Sequence, residues 1–325
     1  MKAILCRTLG SPDLLTLEDV PSPPLGAEQV RIGVHACGVN FPDVLMVAGK
    51  YQVQPPLPFS PGAELSGEIV EVGSNCRDLT VGQRVLAMSG FGGMAEEVCV
   101  NARAVVPLPD DLDYDTAAAF LLAYGTSYHA LVQRAVLSAG QTLLVLGASG
   151  GVGLAAVQIG RMLGARVIAA AGSAEKLQLT RQHGADDTVN YSEAGLRHAV
   201  RELTSGRGAD VIFDPVGGEL FDDCLRSVAW RGCILIVGFA SGTIQTIPAN
   251  LPLLKGCSVT GVFWGRFTEL EPDAHKKNTA DLLAALADGK LNPHIGGVFP
   301  LDQAADALRL LADRRATGKI VVRIR

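Results

Sequence analysis

The sequence predicts an α/β chain in which a mostly β unit precedes a doubly wound parallel sheet, and three observations predict it. Strand-like and helix-like patterns alternate from residue 141 to residue 263. Inside that run a glycine turn, Gly147-Ala-Ser-Gly-Gly-Val-Gly153, separates a short apolar run from a helical one. The first 120 residues differ, being strand-like and rich in proline and glycine. Alternation of strands and helices is the pattern of a parallel sheet covered on both faces.

The early segments 29–36 and 68–73 alternate apolar and polar residues, as half-buried strands do, and Pro55, Pro56, Pro58 and Pro61 stiffen the loop between them. The parallel sheet begins with an uncharged strand at 143–146, followed by the glycine turn and a helix with Leu154, Val157 and Met162 on one side. A second core strand is expected at 165–171, then a helix at 174–183, a strand at 187–191, a helix at 193–203 and a strand at 209–214. A helix at 220–230, a strand at 233–237 and a strand at 256–263 close the series. Two further helices, 274–287 and 303–312, lead to a lone strand at 319–324. That strand needs a sheet to join, and the β unit is its expected host. The expected division is therefore 1–122 with 266–325 as one discontinuous domain and 123–265 as the other.

At 325 residues the chain has room for two domains of roughly 150 residues each. With 48% hydrophobic and 19% charged residues it can bury a large core. A net charge of −5 and the absence of a Lys/Arg cluster argue against nucleic acid as a partner. The opening MKAILCRTLGSPD has too short an apolar run for a signal peptide, and glycines interrupt the uncharged stretch 135–160, so no membrane span is expected. The seven cysteines form no CxxC pair and no framework, which reads as reduced thiols in a cytoplasmic protein.

A strand, a glycine turn and a helix start are the parts of a dinucleotide site. Glycines let the backbone approach a pyrophosphate closely, and the helix N-terminus offers free N–H groups and the positive end of a dipole. Ser149, Gly150, Gly151 and Val152 are the first cofactor-binding candidates.

The chain resembles the medium-chain dehydrogenase/reductases, and within them the zinc-free quinone oxidoreductase branch. The resemblance rests on Cys37-Gly-Val-Asn-Phe-Pro-Asp43 with Gly49-Lys-Tyr51, on Pro61-Gly-Ala-Glu-Leu-Ser-Gly67, on the glycine turn, on Asn190-Tyr191 and on Asp214-Pro-Val-Gly-Gly218. It implies a GroES-like catalytic domain and a Rossmann domain that meet at a cleft. Zinc-dependent members carry a cysteine where this chain has Asn40, a histidine where it has Ala63, and commonly a third ligand near Leu122. An amide, a methyl and an isobutyl group cannot supply the three or four N, S or O donors that zinc requires, so no metal is expected. Without a Lewis acid, the favoured substrates are quinones and conjugated carbonyls, which take a hydride and spread its charge onto a distant oxygen.

An NAD site places an acidic residue at the end of the second strand. Here that end reads Ala170-Ala-Gly-Ser-Ala-Glu-Lys176, where Gly172 and Ser173 leave space and a donor. Lys176 is either a solvated helix residue or a contact to a 2′-phosphate. The resemblance, which pairs such a lysine with a tyrosine matching Tyr191 and adds Arg315, favours NADPH. Thr126, Val216, Val237, Gly238, Phe239 and Phe263 fall where the resemblance implies further cofactor contacts, although Phe263 and Trp264 read equally as packing between domains.

Asn40 and Tyr51 are the candidate catalytic residues. Asn40 either orients the substrate oxygen or caps a turn. The Tyr51 hydroxyl either donates to the developing enolate or packs at the rim of the proline loop. Three functions remain in view: an NADPH-dependent reductase of quinones or small enones, a 2-enoyl-thioester reductase, and a protein that binds cofactor without turnover. The apolar strand at 257–263 reads as a sheet edge through which a homodimer is expected to form.

Overall fold

The computed structural model describes residues 1–193 and 195–325. Contacts divide them into two compact units, Met1–Leu122 with Pro293–Arg325 and Ala123–Asn292.

The first unit is built on the long strand Gln29–Val39. It pairs antiparallel with Glu64–Val72, Glu97–Asn101 and the last strand, Lys319–Arg323. Register shifts at Arg31/Ile32 and Val34/Ala36 let one strand serve so many partners by bending it. Val30, Ile32, Val34, Leu65, Ile69 and Val85 fill one side of this sheet. The chain's last strand also pairs in parallel with Ile295–Pro300, whose Gly296-Gly297 gives no strand signal in the sequence.

The second unit holds six strands in the order Asp187–Asn190, Arg166–Ala171, Thr142–Val145, Ala209–Asp214, Val228–Ile236, Ser258–Gly261, all parallel. The order reverses beside Thr142–Val145, because the next strands in sequence go to one side of it and the later ones to the other. Ala194, inside the helix expected over 193–203, lies outside the described residues, and that helix is observed as Leu196–Leu203. The helix expected over 220–230 ends at Ser227, because Val228 already pairs with Ala209 in the sheet.

The helices Trp264–Leu270 and Pro272–Ala287 group with the second unit, so the first unit resumes at Pro293 and not at 266. Aromatic packing accounts for this. Phe267 stacks on His129 with ring centroids 4.0 Å apart, and Trp264 lies against Gly125 so closely that a Cβ there would meet the indole at 2.8 Å.

The glycine turn is shaped by close packing of backbone. A Cβ on Gly153 would sit 2.3 Å from the Gly147 carbonyl oxygen, whereas one on Gly150 would find its nearest neighbour, the same oxygen, at 3.4 Å. Gly153→Ala is therefore expected to destabilise the protein by about 1–3 kcal/mol through overpacking. Gly150→Ala should stay within about 0.5 kcal/mol, as an unstrained substitution does. Thermal unfolding of the two variants without cofactor checks this, and equal melting temperatures would count against the packing account.

Candidate active site

In the second unit the candidate cofactor residues gather at the C-terminal ends of the strands, at the point where strand order reverses. Open α/β sheets bind ligands there. The helix Gly151–Met162 starts at Gly150 with no side-chain cap, so its first-turn N–H groups keep their capacity for an anion. Ser149 is buried beside it. Across the turn, Gly147 packs on Val216. The Val216 and Gly217 N–H groups donate to Asp214 Oδ1 at 2.8 Å. Val237 N–H donates to the Asp214 carbonyl at 2.9 Å and draws Val237, Gly238 and Phe239 to the same place. The Ser127 hydroxyl donates to the Val152 carbonyl at 2.8 Å, tying the segment that carries half-buried Thr126 to the glycine-turn helix.

At the end of the second strand no carboxylate stands at 172 or 173. Tyr191 lies over Gly172, where an added Cβ would be 3.4 Å from the ring and 3.7 Å from the hydroxyl oxygen. Ser173 caps the helix Ala174–Gln182, its Oγ accepting the Lys176 N–H, so Lys176 sits one turn into that helix and half-buried. Of the two adjacent aromatics, Trp264 is buried and Phe263 is 54% exposed, so packing engages the tryptophan and leaves the phenylalanine on the surface. Arg315 belongs to the first unit, exposed on the turn after the helix Ala304–Ala312.

The first unit holds a buried polar cluster around Asn40. Lys319 Nζ donates to Glu64 Oε2 at 3.0 Å and to Asn40 Oδ1, with all three side chains buried. Asn40 Nδ2 donates to the Gly38 carbonyl at 3.1 Å and to Glu64 Oε2 at 3.2 Å. The other carboxylate oxygen of Glu64 accepts the Leu122 N–H at 2.8 Å. Both N–H groups of the Asn40 amide are thus engaged inside the protein. What the amide can still offer an incoming molecule is one Oδ1 lone pair, an acceptor, while a carbonyl oxygen of a substrate needs a donor.

Asn40 also caps the helix Phe41–Val47, its backbone N–H donating to Asp43 Oδ2 at 2.8 Å. Asp43 Oδ1 accepts the Gly62 N–H at 3.2 Å. Burial pushes the Asp43 carboxyl up to about 6, opposed by those two N–H groups and by the Lys319 charge. Tyr51 follows this helix and packs against Cys6, Met46, Val47 and Phe59. Burial, and then the charge of Asp43, raise its phenol above the ordinary value, so it holds its proton at neutral pH. Tyr51 therefore has a hydrogen to donate, which Asn40 does not.

The donors present do not fit a zinc ion. Among the described residues no group of three or more His, Cys, Asp or Glu side chains is placed to hold a metal. Ala63 presents a methyl group, the Asn40 amide is committed to protein partners, and the Lys319 ammonium already neutralises Glu64. Sequence reasoning does not single out Lys319 or Glu64 as site residues. Their signal is a charged residue at the head of a strand, in Lys319-Ile-Val-Val and in Glu64-Leu-Ser-Gly. Nothing in one sequence pairs them across so many residues.

Residues 26–110 match the family described as alcohol dehydrogenase GroES-like domain, and residues 151–280 match the family described as zinc-binding dehydrogenase. Quinone oxidoreductase-like protein 2 homolog of Nematostella vectensis is 44% identical, covering 99% of this chain and 88% of that protein. Quinone oxidoreductase-like protein 2 of Bos taurus is 41% identical, covering 100% and 93%. The quinone oxidoreductase of Thermus thermophilus, solved alone and in complex with NADPH, superposes with a TM-score of 0.86 at 34% identity and complete coverage of both chains. Among the described residues no helix is long and apolar enough to cross a membrane. The chain belongs to the quinone oxidoreductase branch of the medium-chain dehydrogenase/reductase superfamily, with a GroES-like unit and a parallel-sheet Rossmann unit.

Proposed function

We propose that this chain is an NADPH-dependent, zinc-independent reductase of quinones or small conjugated carbonyls. The observation that carries the reading is the make-up of the strand ends in the Rossmann unit: an uncapped helix start for the pyrophosphate, with Gly172, Ser173, Lys176 and Tyr191 where an NAD site keeps a carboxylate. The NADPH complex of the Thermus relative supports it. The reduced nicotinamide supplies the hydride. Gly150, Gly151 and Val152 hold the pyrophosphate on the helix dipole, Lys176 and Tyr191 receive the 2′-phosphate, and residues 237–239 orient the ring. Tyr51 donates a hydrogen bond to the substrate oxygen on which charge accumulates, in the way a single placed donor stabilises a developing anion. A quinone is reduced by one hydride and one proton, and the second comes from Tyr51 or from water.

Steady-state NADPH oxidation with 9,10-phenanthrenequinone, 1,4-benzoquinone and crotonyl-CoA tests the reading. Turnover of a quinone is expected. Turnover of crotonyl-CoA alone would replace the reading by an enoyl-thioester reductase, and tight NADPH binding with no turnover would replace it by a binding protein. A charge-assisted contact contributes about 1.5–3 kcal/mol, so Lys176→Ala should weaken NADPH about tenfold or more and leave NADH nearly unchanged. Equal losses for both cofactors would remove Lys176 from the phosphate site.

The proposal includes a homodimer through the free edge of the Rossmann sheet. Among the described residues the strand Ser258–Gly261 pairs on one side only, with Val228–Ile236. Exposed apolar side chains, Trp230, Ile244, Leu253 and Leu254, lie on the segments that flank this end of the sheet. Unpaired edges beside apolar surface invite a second copy. Sedimentation at micromolar concentration should give the mass of two chains, and Leu253→Glu with Leu254→Glu should shift it to one. A monomeric mass for the unmodified chain would remove the dimer.

A further inference from the structure

We propose that Lys319 is a positioning residue for this reduction: its buried ammonium holds the segments that carry Tyr51 in their working arrangement. The inference rests on the reductase reading above and extends it to a residue outside the candidate catalytic pair. Two separate stretches, 39–40 and the strand start at Glu64, converge on one nitrogen. Lys319 Nζ donates to Asn40 Oδ1, to Glu64 Oε2 at 3.0 Å and to the Val39 carbonyl at 3.4 Å. An ammonium only donates, while the Gly38 carbonyl and the Glu64 carboxylate only accept. Their placement leaves the Asn40 amide one orientation, with oxygen toward Lys319 and nitrogen toward the acceptors. Asn40 starts the helix Phe41–Val47, and Asp43 in its first turn joins that start to Gly62. Tyr51 comes four residues after the end of this helix and packs against the cluster that the helix's Met46 and Val47 form with Cys6 and Phe59. Lys319 thus reaches Tyr51 through Asn40 and the helix, without touching substrate.

The local backbone is shaped to deliver the lysine inward. Gly318 has φ +58°, and a Cβ there would lie 2.2 Å from the His294 carbonyl oxygen, so only glycine fits the turn that precedes the strand. The Lys319 N–H then donates to that same carbonyl at 2.8 Å. Register with Gln29–Val39 begins one residue later, at Ile320 opposite Val39. Stability alone does not call for the cluster, since apolar residues of similar volume commonly replace a buried ion pair without loss.

The test uses Lys319→Met combined with Glu64→Gln, which removes both charges of the pair together. In this variant NADPH affinity should stay within about twofold of the unmodified chain, since the candidate phosphate and pyrophosphate residues are in the other unit. The kcat for 9,10-phenanthrenequinone should fall about tenfold or more. The diagnostic is a cycle with Tyr51→Phe: if Lys319 acts by placing Tyr51, adding the pair of substitutions to Tyr51→Phe should lower kcat by less than about twofold further. A multiplicative further loss, or an unchanged kcat in the double variant, overturns the proposal. Should the double variant fail to fold, Lys319→Arg, which keeps the charge, is put through the same cycle. A smaller loss that vanishes in the Tyr51→Phe background supports the role, and an unchanged or multiplicative kcat overturns it. Absence of quinone turnover by the unmodified chain would instead refute the reductase reading itself.

Discussion

The contact between Lys319 and Glu64 sets the terms for the whole GroES-like unit. Moving two charges out of water costs several kcal/mol per ion, and their attraction offsets this only when the remaining donors and acceptors are also satisfied. They are: the ammonium has three acceptors, and the carboxylate takes the Leu122 N–H on one oxygen and the Asn40 amide on the other. Removing either partner alone would strand a buried charge, at a cost of about 3–5 kcal/mol. That penalty links the start of the strand Glu64–Val72, the end of Gln29–Val39 and the last strand of the chain. It also ties residue 319 of the sequence to residue 40, so the unit is complete only when the C-terminal strand has docked.

The resemblance implies that zinc-dependent members hold a cation by coordination through residues matching Asn40 and Ala63, whereas in this chain Asn40 meets the side-chain cation of Lys319. The chemical consequences differ. A zinc ion has an open position and can polarise a substrate oxygen directly. The Lys319 ammonium faces protein acceptors in every direction the structure shows, so its effect on a substrate passes through the groups it orients. In the proposed reaction the hydrogen-bond donor is therefore Tyr51, whose phenol is raised above its ordinary value by burial and then further by the Asp43 charge. This arrangement also suits acceptors that need little help to take a hydride, as quinones do.

Much of the Rossmann unit is legible in the sequence, because its signals are local. Apolar strand, glycine turn and helix start occur within a few residues of one another, and the absence of an acid at 172 and 173 can be read directly. The errors fall where local pattern and tertiary pairing compete. Residues 228–230 look helical in sequence but are held as strand by Val228 against Ala209. The strand Ile295–Pro300 escapes the sequence reading because Gly296 and Gly297 suppress its pattern, and it exists because Lys319–Arg323 supplies a partner. The sequence assigns the segment 266–292 to the GroES-like unit, whereas stacking of Phe267 on His129 keeps it with the other. In the candidate site, Asn40 and Tyr51 are visible through family resemblance. Lys319 and Glu64 are invisible for a physical reason: their meeting depends on strand pairing across most of the chain, and neither has a local motif that requires a charge.

In the proposed reaction this chain transfers a hydride from reduced nicotinamide to a quinone using only its own side chains as electrostatic support. Single-turnover oxidation of NADPH by 9,10-phenanthrenequinone, with chelator-treated protein of measured metal content and with NADPH deuterated at the transferred position, tests it most directly. The expected result is rapid oxidation with a primary isotope effect at metal content far below one per chain. Oxidation that stops on chelation and returns with one Zn²⁺ per chain, or no oxidation at all, would contradict it.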